Sequence, residues 1–165
     1  MHSQEKKVKT PEQALKTLEW LSAKMERCTS DTRRSLYRWG ITERETQDRI
    51  IAKLTSDGFI SDSRYAGAYV RDKMLGGKWG EAKIRAALKA KSIATDIIEQ
   101  ALEENINKET LNHKLENNIR KHYLKEAPRE ENLYNLRAKL FRRAASQGFD
   151  IEEINSIISK IINAD

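Results

Sequence analysis

Three times in this 165-residue chain a helix-length stretch ends in a small residue followed by an apolar one: Gly40-Ile41, Ser92-Ile93 and Gly148-Phe149. The three ends lie 52 and 56 residues apart. A recurrence on this scale marks a repeat architecture, each unit a supersecondary element that buries its apolar face against its neighbours. Glycine at a helix end adopts the left-handed conformation that stops the helix, and the apolar residue after it returns to the core. The chain is thereby constrained to fold as successive short units.

Within each unit the apolar spacing is helical. Thr10-Pro11-Glu12-Gln13 combines a first-turn proline with a capping box. Ala14, Leu15, Leu18, Leu21 and Met25 follow at helical intervals, which predicts a first helix running close to Cys28. A second helix holds Leu36 and stops at Gly40. Thr42 and Glu45 read as a further capping box, opening a third helix with Ile50, Ile51 and Leu54 inward and an end near Gly58.

The cycle restarts at Ser61-Asp62, with Tyr65, Ala66, Tyr69, Val70 and Met74 on one side and Gly76-Gly77 closing the helix. A helix after Trp79-Gly80 points Ile84, Ala87 and Leu88 inward, and another over 95–105 carries Ile97, Ile98, Ala101 and Leu102. The third cycle has Leu111, Leu115, Ile119 and Tyr123 before a break at Pro128. Leu133, Leu136, Leu140 and Ala144 then lead to Gly148, and Asp150 caps a last helix with Ile154, Ile157, Ile158 and Ile161. No strand pattern competes. The expected fold is all-α: three tandem three-helix, helix-turn-helix-like modules over residues 10–60, 61–106 and 107–165, after a flexible tail over 1–9.

Charge follows the same repeat. Segments 32–41, 82–93 and 135–149 contain no acid but hold Arg33, Arg34, Arg38, Lys83, Arg85, Lys89, Lys91, Arg137, Lys139, Arg142 and Arg143. The whole chain has 31 basic and 25 acidic residues, so outside these segments 20 basic face 25 acidic. The net charge of +6 is therefore concentrated in the second helix of each module. At 100° per residue Arg85 and Lys89 form an outward ridge, with Lys83 on the opposite shoulder. Arg33 falls at the place of Arg85, Lys139 at the place of Lys83, and Arg142 points outward. Lys91 lies near the buried side and complements the helix C-terminus. Asp96, Glu99, Glu103 and Glu104 make the following helix acidic. Phosphates and an acidic protein surface satisfy such positive helices equally well.

Catalytic chemistry finds no support. His113 and His122 have no histidine or cysteine partner three or four residues away, and His2 stands alone. The single cysteine, Cys28, reads as an ordinary thiol, precludes an intrachain disulfide and has no adjacent histidine. Phosphate-loop and dinucleotide motifs are missing. The expectation is a non-enzymatic protein with no metal and no cofactor. Apolar runs fall short of a membrane span, and the opening MHSQEKKVKT lacks a signal-peptide core, so cytoplasmic residence is expected. Trp79 is expected to staple its loop to the core, Trp39 similarly, and Trp20 to seal a junction between modules.

One stretch carries a resemblance. Residues 62–102, with Asp62, Arg64, Tyr65, Ala66, Tyr69 and Val70, then Trp79-Gly80, Lys83-Ile84, Leu88, Ile93, Ile98 and Ala101-Leu102, resemble the central repeat of the RecX family of bacterial recombination regulators. Residues 34–41 and 140–158 resemble the flanking repeats more weakly. Ser92 stands where many relatives have glycine, which predicts a slightly strained helix end. The resemblance implies an elongated, curved array of three modules; a monomer is expected. It also implies binding to RecA and to the RecA filament on DNA, with damping of strand exchange, filament growth and coprotease activity in DNA repair and the SOS response. Arg33, Arg34, Arg38, Lys83, Arg85, Lys89, Arg137, Lys139, Arg142 and Arg143 are then the candidate filament or DNA contacts. Asp62, Arg64, Tyr65, Ala66, Tyr69, Val70, Trp79, Gly80, Ile84 and Leu88 form a mostly structural signature. Weak direct binding to DNA fits the same charges, as does a stand-alone nucleic-acid-binding protein using its basic second helices.

Overall fold

The computed structural model describes residues 8–164. Nine α-helices occur among the described residues: α1 (Pro11–Ser22), α2 (Thr29–Arg38), α3 (Arg44–Ser56), α4 (Asp62–Gly76), α5 (Glu81–Ala90), α6 (Thr95–Asn105), α7 (Lys108–Glu126), α8 (Leu133–Ser146) and α9 (Ile151–Ile162). A single 3₁₀ turn, Ala127–Arg129, interrupts the run at Pro128. The helices pack mainly as consecutive triplets, α1–α3, α4–α6 and α7–α9. The first seven residues of the expected tail lie outside the described residues. Lys9, by contrast, donates its N–H to the Trp39 carbonyl at 3.0 Å.

Local chemistry explains most boundaries. The Thr10–Gln13 capping box forms in both directions, Ser61 caps α4 through the Arg64 N–H, and Asp150 caps α9 through the Glu152 and Glu153 N–H groups. Gly40, Ser92 and Gly148 all take positive φ, at 86°, 58° and 80°. The three aligned helix ends are thus one conformation used three times. Only Ser92 bears a β-carbon there, and it carries the expected strain.

Two expectations fail at element ends. The first helix stops at Ser22, not near Cys28, and Met25 is exposed. The cause is tertiary: Glu26 pairs with Arg64, the Arg27 guanidinium donates to Ser35 Oγ, and Cys28 inserts into the apolar core of the following helices. The Thr42–Glu45 capping box does not form. Helix α3 begins at Arg44, because the buried Gln47 amide donates to the Ile41 carbonyl at 2.7 Å and holds the preceding turn away from helical geometry.

Two apolar cores result. One lies within the first triplet and is built on Ala14, Leu18, Leu36, Ile50, Ile51, Leu54 and Ile60, with Trp39 half-buried against it. The other runs without interruption from Ala66 on α4 to Ile161 on α9. The second and third triplets therefore share a core, while the first is joined to them chiefly through Cys28 and polar bonds.

Candidate filament and nucleic-acid interface

The acid-free segments look different once folded. Helix α2 begins at Thr29 and so includes Asp31, and α5 begins at Glu81. Each carboxylate stands one residue before its acid-free segment, inside the same helix, and each accepts from the cations around it. Arg85 donates to both Glu99 oxygens at 2.8 and 2.9 Å and to Glu81 at 2.6 Å. The bond to Glu99, then that to Glu81, raises its pKa above the ordinary arginine value against the opposing effect of burial. Arg33 makes the equivalent contact one module earlier, to Asp48 at 2.6 Å and Gln47 at 3.1 Å. Arg137 donates to Ser159 at 2.7 Å. One second-helix arginine in each triplet thus reaches the third helix of its own triplet.

This corrects the expected ridge. Arg85 is not an outward cation: its side chain is 29% exposed and doubly neutralised. The acidic third helix of the middle triplet is the partner of its basic second helix, which the linear charge pattern could not show. Lys139 is likewise paired, with Glu130 at 2.8 Å. Lys83 is half-buried, with its ammonium 4.7 Å from the centre of the Trp79 ring. Lys91 does not serve its own helix end but crosses to Asp31 at 2.6 Å.

The cations left outward are fewer. Lys89 and Arg143 are exposed, with no ion pair among the described residues, while Arg142 bonds only the Ala138 carbonyl and Arg38 only Ser35. Arg34 is 63% exposed and 3.7 Å from an Asp31 already held by Lys91. His122 reports the local field in the last triplet. Burial, followed by Arg143, Lys121 and Lys125, pushes its pKa down.

Asp62, Arg64 and Gly80 of the signature sit at the two borders of the middle triplet. Asp62 accepts the Thr29 N–H at 2.8 Å, which supplies the N-terminal cap that Cys28 cannot give α2. Arg64 grips Glu26 at 3.0 Å and the Gly58 carbonyl at 2.8 Å. At the other border the Gly80 N–H donates to the Gln147 carbonyl at 2.8 Å, and the Ala82 N–H to that of Gly148 at 3.1 Å. Tyr65, Tyr69 and Trp79 form a ladder of half-buried rings, 6.0 and 6.5 Å between successive centres. Trp79 therefore staples its loop to the core as expected, and Trp39 does the same in the first triplet. Trp20 seals nothing. It is 57% exposed beneath the Lys24 ammonium, 3.6 Å from the ring centre. Ala66, Val70, Ile84 and Leu88 are core residues.

A cleft of about 580 Å³ opens between the first and second triplets, with Arg33, Arg34, Tyr37 and Arg44 among its walls. Neither Tyr37 nor Arg44 stood out in the linear sequence, since Tyr37 reads as one apolar position among many and Arg44 lies outside the acid-free segments. No group of three or more potential metal-ligating side chains occurs among the described residues. No helix there is long and apolar enough to cross a membrane.

Comparison with known proteins converges on the same middle triplet. The family described as "RecX, second three-helix domain" matches residues 61–102. Similarity then extends along the chain: the regulatory protein RecX of Clostridium perfringens (strain 13 / Type A) is 31% identical over 94% of this chain and 70% of its own length. The chain belongs to the RecX family. The regulatory protein RecX of Clostridium botulinum (strain Alaska E43 / Type E3) is 30% identical over 83% of this chain and 69% of its own length. A crystal structure of RecX from Lactobacillus salivarius superposes with a TM-score of 0.79 at 22% identity, covering 93% of this chain and 97% of that one. These matches establish the RecX fold of all-α helical modules and a regulatory rather than enzymatic role.

Proposed function

We propose that this chain binds RecA and the RecA filament on DNA in the cytoplasm, and that it damps recombinase, ATPase and coprotease activity without catalysis of its own. Membership of the RecX family across nearly the whole chain carries the reading. The distribution of free charge supports it. With Arg33, Arg85, Arg137 and Lys139 committed internally, each second helix presents only one or two loose cations among the described residues. Such sparse contacts suit a repetitive nucleoprotein surface, where several weak contacts along one chain add up. A stand-alone DNA binder would draw its affinity from many phosphate contacts.

Binding one filament state better than the other suffices for regulation, since a ligand shifts an equilibrium by its differential affinity. The test is a titration of the purified protein into RecA on single-stranded DNA, following ATP hydrolysis and strand exchange. Inhibition at ratios well below one chain per RecA is expected. Unchanged rates over a wide concentration range overturn the reading.

A further inference from the structure

The cleft between the first two triplets is built differently from the rest of the surface. Its fixed wall is Arg33, held by Gln47 and Asp48. Its two exposed cations are Arg34 and Arg44, 63% and 77% exposed. Each stands 3.7 Å from a carboxylate whose nearer partner is another cation: Asp31 belongs to Lys91 at 2.6 Å, and Asp48 to Arg33 at 2.6 Å. Asp62, which itself lines the cleft, accepts the Thr29 N–H. Asp31 and Asp48 are thus taken by nearer cations, and two guanidinium forks remain loosely held at one opening. Arginine forks of this kind favour the paired oxygens of a phosphate.

The same opening contains Tyr37, a ring 63% exposed to solvent although it follows the fully buried Leu36. Thr29 and Ser30 add two hydroxyl-bearing residues. At about 580 Å³ the space lies within the usual range of small-ligand sites. An aromatic face beside paired arginines matches a nucleotide, where the phosphate takes the forks and the base stacks on the ring. An acidic peptide would use the arginines but leave the ring without a partner. We infer that this cleft is a binding site for a nucleotide unit, with Arg34 and Arg44 on the phosphate and Tyr37 under the base. The unit is either a free nucleotide or one residue of a single strand. This inference stands apart from the reading as a RecA regulator, because it concerns the chain alone.

The experiment is fluorescence anisotropy of a labelled short oligothymidylate with the full chain, in the absence of RecA, across a salt series. The double variant R34E/R44E should weaken binding at least about tenfold and reduce the salt slope by about 0.7–1.4. Tyr37→Ala should weaken it at least about fivefold, and Tyr37→Phe should retain it. The double variant K121E/K125E, with the same change of charge on α7, should behave as the parent. Displacement by AMP identifies a free-nucleotide site, and displacement only by unlabelled strand identifies a strand site. Parent-like binding by R34E/R44E overturns the inference, as do an equal loss in K121E/K125E and displacement by polyglutamate as effective as by nucleotide. Circular dichroism of R34E/R44E verifies the fold, and R34K/R44K, which keeps the charge without the fork, should bind more weakly than the parent. RecA ATP hydrolysis, measured separately, remains the test of the regulatory role.

Discussion

Gly80 and Gly148, 68 residues apart, meet backbone to backbone, and neither has room for a β-carbon. A Cβ on Gly80 would overlap the Gly148 carbonyl, and one on Gly148 would overlap the Lys83 backbone and lie 2.6 Å from the Lys83 Cβ. The loop before α5 and the loop after α8 are thereby locked together by the Gly80–Gln147 and Ala82–Gly148 hydrogen bonds. Gly148 needs its freedom twice, since its φ of 80° also ends α8.

Gly80→Ala should therefore destabilise the protein by about 1–3 kcal/mol through overpacking at the shared backbone contact. Gly148→Ala should cost at least as much, because backbone strain is added to the clash. Urea unfolding followed by circular dichroism measures both. Gly76, with nothing within 4 Å of a Cβ and no positive φ, provides the control, and Gly76→Ala should be neutral or slightly stabilising.

The bridge from Lys91 to Asp31 should make the first junction sensitive to acid. Burial alone would raise the Asp31 pKa, but the hydrogen bond and charge of Lys91, with Cys28 and Arg34, outweigh it and hold the group below its ordinary value. A depressed carboxylate stabilises the fold above its unfolded pKa and loses that contribution as pH falls through the folded one. Asp31→Asn should thus be less stable than the parent at pH 7, and the deficit should fade progressively as pH falls below about 4. Thermal unfolding of both proteins between neutral and strongly acid pH measures it. A deficit independent of pH would refute the assignment.

Arg85 and Lys89, neighbours on one helix, should respond differently to reversal. Arg85→Glu sets a third carboxylate beside Glu81 and Glu99, so the unfolding midpoint should drop and the helical signal should soften. Lys89→Glu touches no ion pair and should stay within about 0.5 kcal/mol of the parent. If Lys89 contacts the filament, Lys89→Glu weakens inhibition of RecA while stability holds. That combination separates an interface residue from a structural one.

Cys28 reports on the joint between the first triplet and the rest. It is fully buried, and burial pushes its thiol pKa up against the opposing hydrogen bond from the Asp31 N–H. Reaction with a thiol reagent at neutral pH should be slow, because the thiolate is both scarce and shielded. Asp62→Ala removes the acceptor of the Thr29 N–H and should accelerate labelling severalfold by loosening α2 from α4. Equal rates in both proteins would show that Asp62 does not hold the joint.

Much of the architecture was legible in the linear chain because its determinants are local. Apolar positions at helical spacing, the Thr10–Gln13 box, Asp150, Pro128 and the three aligned helix ends depend on residues within a few positions of one another. The errors fall where a distant residue overrides local chemistry: Gln47 on the turn before α3, and Arg64 and Cys28 on the chain after α1. Trp20 was misread because an aromatic beside an apolar stripe carries no sign of whether a lysine or a neighbouring module will cover it.

The sequence by itself determined that the chain would be helical, repeated about every fifty residues and basic on the second helix of each unit. Only the tertiary structure decided which of those cations are free. Charge along a chain counts residues within one element, whereas Arg33 and Arg85 are neutralised by Asp48 and Glu99 on the next helix, 15 and 14 positions away. The pairing depends on how two helices rotate against a common core, and that rotation is set by packing rather than by charge. Arg34, Arg44 and Tyr37 share one cleft for the same reason: residues from two helices meet where the first triplet joins the second.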